Sequence, residues 1–215
     1  GTFTINNLQG TNPLAGTTLD IGRSTVFLSY SSSDPIAAIQ NYLANGYNSG
    51  TWNGTPTAST GVIISQAAQG NPNRNTAIGF ADFADGQGVN TVPNTIELTY
   101  TLYGDANLDR QVNSADLQIL LAFLNRSGAW DQGDFNYDGQ VNSADLQSLL
   151  FTLNTSLGNQ TAAATFAGAP APMQNVLAQN KTVSPIPPNP TPAAAGSALS
   201  GPGHALRRIV RHRRR

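Results

Sequence analysis

A segment of 22 residues occurs twice in the chain, at 104–125 and at 133–154, with 16 identical positions. The copies open with Gly-Asp-Ala-Asn-Leu-Asp-Arg-Gln-Val-Asn-Ser-Ala-Asp and Gly-Asp-Phe-Asn-Tyr-Asp-Gly-Gln-Val-Asn-Ser-Ala-Asp. Counted from the first Asp, oxygen-bearing side chains recur at positions 1, 3, 5, 9 and 12. A hard cation such as calcium is held by about six to eight oxygens, which a loop of roughly a dozen residues can point inward. The repeat therefore predicts two calcium sites.

Each predicted site takes five side-chain oxygens and one backbone carbonyl, the latter from the Gln at position 7. The predicted ligands of the first loop are Asp105, Asn107, Asp109, Gln111, Asn113 and Asp116. Those of the second loop are Asp134, Asn136, Asp138, Gln140, Asn142 and Asp145. Asn and Asp also cap ordinary helices, but two copies that keep every oxygen position favour metal binding over simple capping.

The two loops differ at position 6, which usually needs a positive φ that glycine adopts without strain. The second loop has Gly139 there, whereas the first has Arg110. We therefore expect the first loop to be the weaker site. At position 8 both loops carry a β-branched residue, Val112 or Val141, which predicts a short strand pairing between the loops.

Each loop leads into a helix with leucines at i, i+3, i+4 and i+7. The leucines are Leu117, Leu120, Leu121 and Leu124 in the first copy and Leu146, Leu149, Leu150 and Leu153 in the second. Neither stripe can be buried alone, so the two helices are expected to pack face to face, with Trp130 covering one end of this small core.

Residues 1–103 are predicted to form a β-rich, sandwich-like domain with one helix. Alternating strands are expected at Thr2–Ile5, Ser24–Tyr30 and Thr95–Tyr103, with a short apolar strand at Gly61–Ser65. Asp34, Pro35 and Gly46 are typical of the ends of one helix between them. Trp52 is expected to anchor the loop that follows this helix.

Periodicity stops at about residue 158, and Ala, Pro and Gly dominate as far as Pro202. Residues 158–215 are therefore predicted to be a disordered linker with a basic tail. Six of the eleven basic residues lie between Arg207 and Arg215, so residues 1–206 hold five basic and twelve acidic residues. The tail is expected to attract an anionic envelope polymer rather than a specific nucleic acid, with a solvated tail or processing remnant as the alternative. No apolar run reaches membrane-spanning length.

The repeated Asp-x-Asn-x-Asp-x-x-x-Asn-x-x-Asp loop, each copy followed by one helix, resembles the type I dockerin domain over about 104–157. The resemblance implies a non-catalytic connector that binds a cohesin-like domain or another cell-surface protein. The implied partner-binding residues are Ser114, Ala115, Gln118, Ser143, Ala144 and Gln147. Because they are identical in both copies, the resemblance implies binding in two orientations related by a half-turn.

Residues 1–103 also resemble the C-terminal portion of large secreted proteins of planctomycete-like bacteria. The resemblance is carried by Leu43-Ala-Asn-Gly-Tyr47, Ala77-Ile-Gly-Phe80 and Tyr100-Thr-Leu-Tyr-Gly-Asp105, among other segments. It implies a secreted protein at the cell surface. The expected fold is thus multi-domain, with a β-rich domain at 1–103, an all-α dockerin-like pair at 104–157 and the disordered segment.

The sequence favours a non-enzymatic, calcium-binding module for surface attachment or protein assembly. One alternative is a self-assembling surface or filament subunit made of copies of this chain, and another is the dockerin-bearing fragment of a polysaccharide-degrading enzyme. Asp82, Asp85 and Glu97 could supply a carboxylate pair for sugar hydrolysis, although each also suits a turn or an exposed strand position. Trp52, Tyr47 and Tyr42 could form a sugar platform, although aromatic residues near a helix and sheet more often belong to the core.

Overall fold

The computed structural model describes residues 1–6, 12–158 and 165–167. The strands are β1 (Thr2–Ile5), β2 (Thr18–Asp20), β3 (Thr25–Ser29), β4 (Val62–Ile64), β5 (Thr76–Asp82), β6 (Thr95–Leu102), β7 (Gln111–Val112), β8 (Arg126–Ser127), β9 (Gln140–Val141), β10 (Thr155–Ser156) and β11 (Thr165–Ala167). The α-helices are α1 (Ile36–Tyr47), α2 (Gln66–Gln69), α3 (Ser114–Phe123) and α4 (Ser143–Thr152), and two short 3₁₀ helices span Phe83–Asp85 and Trp130–Gln132.

A mixed four-stranded sheet has the order β1-β3-β6-β5. Strand β1 runs parallel to β3, and the other two pairings are antiparallel. In β6 the predicted apolar face is buried, but Thr99 and Thr101 on the opposite face are also only 2% and 0% exposed. Both faces of this sheet are therefore covered, which simple alternation along a half-buried strand does not predict.

Helix α1 packs on β4 of a second sheet, whose order is β11-β2-β4. Asp34 lies just before the helix, and its carboxylate accepts a hydrogen bond of 2.9 Å from the backbone N–H of Ile36. The helix runs past Gly46 to Tyr47. A Cβ atom on Gly46 would lie 1.8 Å from the carbonyl oxygen of Ile63, so this glycine permits close packing rather than ending the helix.

The expected combination of a sandwich-like domain with one helix and an all-α pair is wrong. The described residues contain four α-helices and mixed sheets, and two of these helices, α1 and α2, precede the repeat. Within the repeat, the second copy contributes one helix, α4, and two-residue strands flank it. Strands arise there because the loop backbone needs partners outside its own turn. The domain boundary near residue 104 stays a prediction.

Helices α3 and α4 contact each other, but the leucine stripes are only partly buried. Leu120 and Leu149 are fully buried, whereas Leu121 and Leu150 are 51% and 53% exposed. The two copies therefore bury the same position and expose the same position. Beyond the repeat, β11 lies inside the segment predicted to be disordered and pairs with β2. The Pro-rich segment and the arginine tail lie outside the described residues.

Candidate metal centre

The carboxylate at position 1 organises each loop by accepting backbone hydrogen bonds. One oxygen of Asp105 accepts from the N–H of Asp109 at 3.1 Å, and the other accepts from the N–H of Arg110 at 2.9 Å. The second oxygen also accepts a hydrogen bond from the hydroxyl group of Thr101 in β6. In the second loop the two equivalent backbone distances to Asp134 are 3.2 and 2.9 Å. The two loops thus share one conformation.

The carboxylate at position 12 closes each loop from the first turn of the following helix. Asp116 accepts from the N–H of Ala106 at 3.0 Å and from the N–H of Asn113 at 2.9 Å. The Asn113 side chain in turn caps α3, which completes a capping box. Asp145 makes the equivalent bond to Asn142 at 2.9 Å. Helix start and loop closure therefore depend on the same acidic residue in each copy.

Positions 3, 5 and 7 form the outer rim of each loop. The carboxylates of Asp109 and Asp138 are exposed, and each accepts a 2.8 Å hydrogen bond from the N–H of the Gln at position 7. The amide groups of Asn107 and Asn136 donate to these same two carboxylates at 3.2 and 3.0 Å. Hydrogen bonds within the loop therefore hold the conformation of the rim.

Burial raises the pKa of the inner carboxylates. The pKa of Asp105 is raised to about 8 and that of Asp134 to about 7. Burial also raises the pKa of Asp116 and of Asp145, both of which are 0% exposed. Like charges within each loop contribute further. A bound dication would reverse this preference, because it favours the charged form of every ligand.

Positions 4 and 6 both adopt positive φ. The φ values are 59° at Leu108 and 61° at Tyr137 for position 4, and 68° at Arg110 and 81° at Gly139 for position 6. Arg110 therefore holds the left-handed conformation expected of a glycine, which costs about 1 kcal/mol for an ordinary residue. Its guanidinium group points out of the loop and donates a 3.2 Å hydrogen bond to the hydroxyl group of Thr25 in β3.

The loops do not pair with each other through Val112 and Val141, so this prediction is wrong. Strand β7, in the first loop, pairs with β10, and β9, in the second loop, pairs with β8. The N–H of Asn154 donates to the carbonyl oxygen of Val112 at 2.7 Å, and the N–H of Asn125 donates to that of Val141 at the same distance. Each loop is thus held by the segment that follows the other helix.

The donor set in both loops suits a hard cation. All predicted ligands are oxygens, and the one basic side chain, that of Arg110, is directed towards β3. Across the described residues, no three His, Cys, Asp or Glu side chains converge as a ready-made metal site. The loops instead combine three carboxylates with amide and backbone oxygens, which is the mixture that calcium uses.

Position 4 also connects the loops to the four-stranded sheet. The hydroxyl group of Tyr137 donates a 2.7 Å hydrogen bond to the carbonyl oxygen of Ile78 in β5. Its ring contacts those of Trp130 and Phe80. A Cβ atom on Gly79 would lie 2.4 Å from Leu108 and 2.6 Å from the indole nitrogen of Trp130. The signal in the sequence is the large side chain at position 4, Leu108 or Tyr137, in a loop that is otherwise mostly polar.

The six residues implied for partner binding are all exposed, namely Ser114, Ala115, Gln118, Ser143, Ala144 and Gln147. They occupy equivalent positions on α3 and α4. A surface cavity of about 360 Å³ adjoins the second set and is lined by Ala144, Gln147, Tyr47 and Arg74, among others. The second face therefore borders the N-terminal region.

The structure does not assemble the alternative catalytic carboxylates or the sugar platform as the sequence suggested. Asp82 and Asp85 interact with each other, whereas the charged neighbour of Glu97 is Arg110. The three carboxylates therefore do not form one catalytic group. Trp52 is fully buried and its indole N–H donates to the hydroxyl group of Tyr103 at 3.2 Å, so it anchors its loop as expected rather than forming a sugar platform.

One known protein family matches the repeat. Residues 103–154 match the dockerin type I domain. This match confirms the resemblance to type I dockerins drawn from the loops, and residues 103–154 are called the dockerin segment below. Type I dockerins are non-catalytic, calcium-binding modules that bind cohesins, typically outside the cell. No curated protein and no solved structure matches the chain. No helix among the described residues is long and apolar enough to cross a membrane.

Proposed function

We propose that residues 104–157 are a calcium-dependent docking module that attaches the N-terminal region to a protein partner at the cell surface. The observation that supports this most directly is the near-identical conformation of the two acidic loops, together with the match to dockerins. Two calcium ions would be held by the twelve residues predicted from the repeat. Calcium would act structurally, by neutralising buried carboxylates and fixing the starts of α3 and α4.

Removal of calcium tests the structural part of this proposal. If calcium exceeds the dissociation constant a thousandfold, each site adds about 4 kcal/mol to the free energy of unfolding. We therefore expect excess EGTA to lower the melting temperature of the full chain strongly and to reduce its helical circular dichroism. Asp20→Asn serves as a control, because Asp20 is a buried carboxylate outside both loops. EGTA should therefore lower the melting temperature of this variant as much as that of the unmodified chain. Identical melting curves with and without chelator would contradict the proposal.

The exposed faces of α3 and α4 test the docking part. Ala115 and Ala144 lie at equivalent exposed positions, so a lysine at either should leave the fold intact. With a panel of purified cohesin domains as probes, we expect Ala115→Lys and Ala144→Lys singly to retain binding and the double variant to lose it. Binding that persists in EGTA, or in the double variant, would exclude this mode of docking.

Self-assembly is the second candidate, because the four-stranded sheet has edge strands. Strand β1 pairs with β3 on one side, and no other strand among residues 1–6, 12–158 and 165–167 pairs with it. Its other edge could accept a strand from a second copy. Sedimentation of the chain in calcium separates the candidates, because large homo-oligomers support self-assembly, whereas a monomer that forms a one-to-one complex with a cohesin supports docking.

A further inference from the structure

Four carboxylates gather outside both calcium loops, although they are far apart in the sequence. Asp34 precedes α1, Asp82 ends β5, and Asp85 ends the adjacent 3₁₀ helix. Asp131 lies in the 3₁₀ helix of the connector between the two loops. The cluster therefore joins the N-terminal region to the middle of the dockerin segment.

Asp131 is the unusual member of this cluster. It is 2% exposed, and no group among the described residues donates a hydrogen bond to either of its carboxylate oxygens. The polar group that faces it is the carboxyl group of Asp85, which as an anion is an acceptor too. Buried charged groups are nearly always hydrogen-bonded, paired or bound to a metal. Asp131 thus lacks a positively charged partner, and a hydrogen bond with Asp85 requires one of the two carboxyl groups to carry a proton.

The neighbours of this pair add negative charge. Asp82 is 7% exposed, and one of its oxygens accepts hydrogen bonds from the N–H of Ala84 at 3.1 Å and the hydroxyl group of Tyr30 at 3.4 Å. Burial, followed by the adjacent Asp85, raises the pKa of Asp131 well above its usual range. The charged groups that act most strongly on Asp82 and Asp131 are all carboxylates.

We propose that Asp131, Asp85 and Asp82 bind a third calcium ion, at the junction between β5 and the connector of the dockerin segment. A dication would supply the partner that both oxygens of Asp131 lack. The donors are oxygens throughout, which suits calcium, and calcium tolerates the irregular geometry that three separate chain segments impose. Zinc is disfavoured because the chain has no Cys and the cluster offers carboxylate oxygens alone.

Space for water ligands adjoins the carboxylates. A surface cavity of about 330 Å³ is lined by Asp82, Asp85, Ala129 and Gln132, among others. The three Asp side chains do not converge as a ready-made site among the described residues, and neither do those of the two loops. Binding would therefore draw carboxylates of the cluster together, as it would in the loops.

The number of bound ions tests the proposal, with equilibrium dialysis of the full chain against calcium in the presence of magnesium. We expect three ions for the unmodified chain, two for Asp131→Asn, and one for the double variant Asp116→Asn with Asp145→Asn, which disables both loops. Asp20→Asn, a buried carboxylate with two backbone N–H partners, should still bind three.

The outcomes separate this inference from the proposed function. Two ions in both the unmodified chain and Asp131→Asn would overturn the third site and leave the loops intact. One ion in the unmodified chain, lost in Asp131→Asn, would retain the third site and overturn the loops. If the double variant does not fold, the comparison of Asp131→Asn with the unmodified chain decides alone. A higher melting temperature of Asp131→Asn in saturating calcium would show that the pair shares a proton instead, which also overturns the site.

Discussion

The hydroxyl group of Tyr137, in the second acidic loop, donates a 2.7 Å hydrogen bond to the carbonyl oxygen of Ile78, in strand β5. The same ring packs 5.0 Å from that of Tyr47 and 5.7 Å from that of Trp52, measured between centroids. A residue within a predicted metal loop is thus part of the aromatic core of the N-terminal region. Loop and core should therefore respond together when this side chain is changed.

Tyr137→Phe removes the hydrogen bond and keeps the ring. We expect the free energy of unfolding in urea to fall by about 1 kcal/mol, and Tyr137→Ala to cost roughly 3–5 kcal/mol because it also leaves a cavity. Phe151→Ala, at an aromatic position that is 67% exposed, is the control and should change stability by less than about 0.5 kcal/mol. Equal effects at the two positions would show that the ring of Tyr137 does not connect loop and core.

Position 6 predicts a difference in affinity between the loops. Gly139→Ala should weaken calcium binding in the second loop by several-fold, because φ is 81° there and a strained residue costs about 1 kcal/mol. A Cβ atom at Gly139 meets no other atom within 4 Å, so the effect would be conformational alone. Arg110→Gly should tighten the first loop by a similar factor, although it also removes the hydrogen bond to Thr25. Isothermal titration measures both, and a tighter first loop in the unmodified chain would contradict the prediction.

Much of the dockerin segment could be predicted from sequence because its constraints are local. A ligand must be an oxygen at a fixed position, and a helix must repeat its apolar residues every three or four positions, as Leu120 and Leu149 do. What could not be predicted depends on distant neighbours. Gly46 looks like a helix end, but the backbone of Ile63 explains it, and nothing local indicates that Asp131 would face Asp85.

The partners of the two loop strands are also hard to predict from sequence. The β-branched residues at position 8 correctly indicated strands, since β7 and β9 include Val112 and Val141. Their partners are short polar segments, Thr155–Ser156 and Arg126–Ser127, which have no apolar alternation to reveal them. Two-residue strands carry too little pattern for sequence to select a partner.

Gly104, the glycine that precedes the first loop, allows a further prediction. Gly104 has a φ of 89°, and a Cβ atom there would lie 2.7 Å from the Cα atom of Leu149 in the opposite helix. Gly104→Ala should therefore lower the free energy of unfolding by about 2–4 kcal/mol, which combines backbone strain with overpacking. Gly86→Ala is the matched control, because its φ is 74° but its surroundings are open, so it should cost only about 1 kcal/mol. If chemical denaturation shows equal losses of unfolding free energy for Gly104→Ala and Gly86→Ala, helix α4 moves to accommodate the added methyl group at little cost.

Glu97, in strand β6, predicts a pH dependence of the stability of the folded chain. Burial raises its pKa in the folded chain to about 7 from the usual 4.5, while the positive charge of Arg110 lowers it. The folded state therefore holds this proton more tightly than the unfolded state does. The contribution of Glu97 to stability is greatest below pH 4.5, decreases as the pH rises to about 7, and is constant above that value.

Comparison with Glu97→Gln isolates this contribution. The difference in unfolding free energy between the variant and the unmodified chain should increase in favour of the variant across that same pH interval. Urea denaturation at matched calcium and a series of pH values measures the difference. Parallel curves would show that Glu97 has the same proton affinity in the folded and unfolded chains.

The crossed pairing of loops and exit segments has a consequence for biosynthesis. The carbonyl oxygens of Val112 and Arg110 receive their hydrogen bonds from Asn154 and Leu157, which follow α4. During translation the ribosome releases the first acidic loop some forty residues before these partners emerge. The loop made first is therefore the one completed last, and a nascent chain stalled within α4 would present it without its backbone partners.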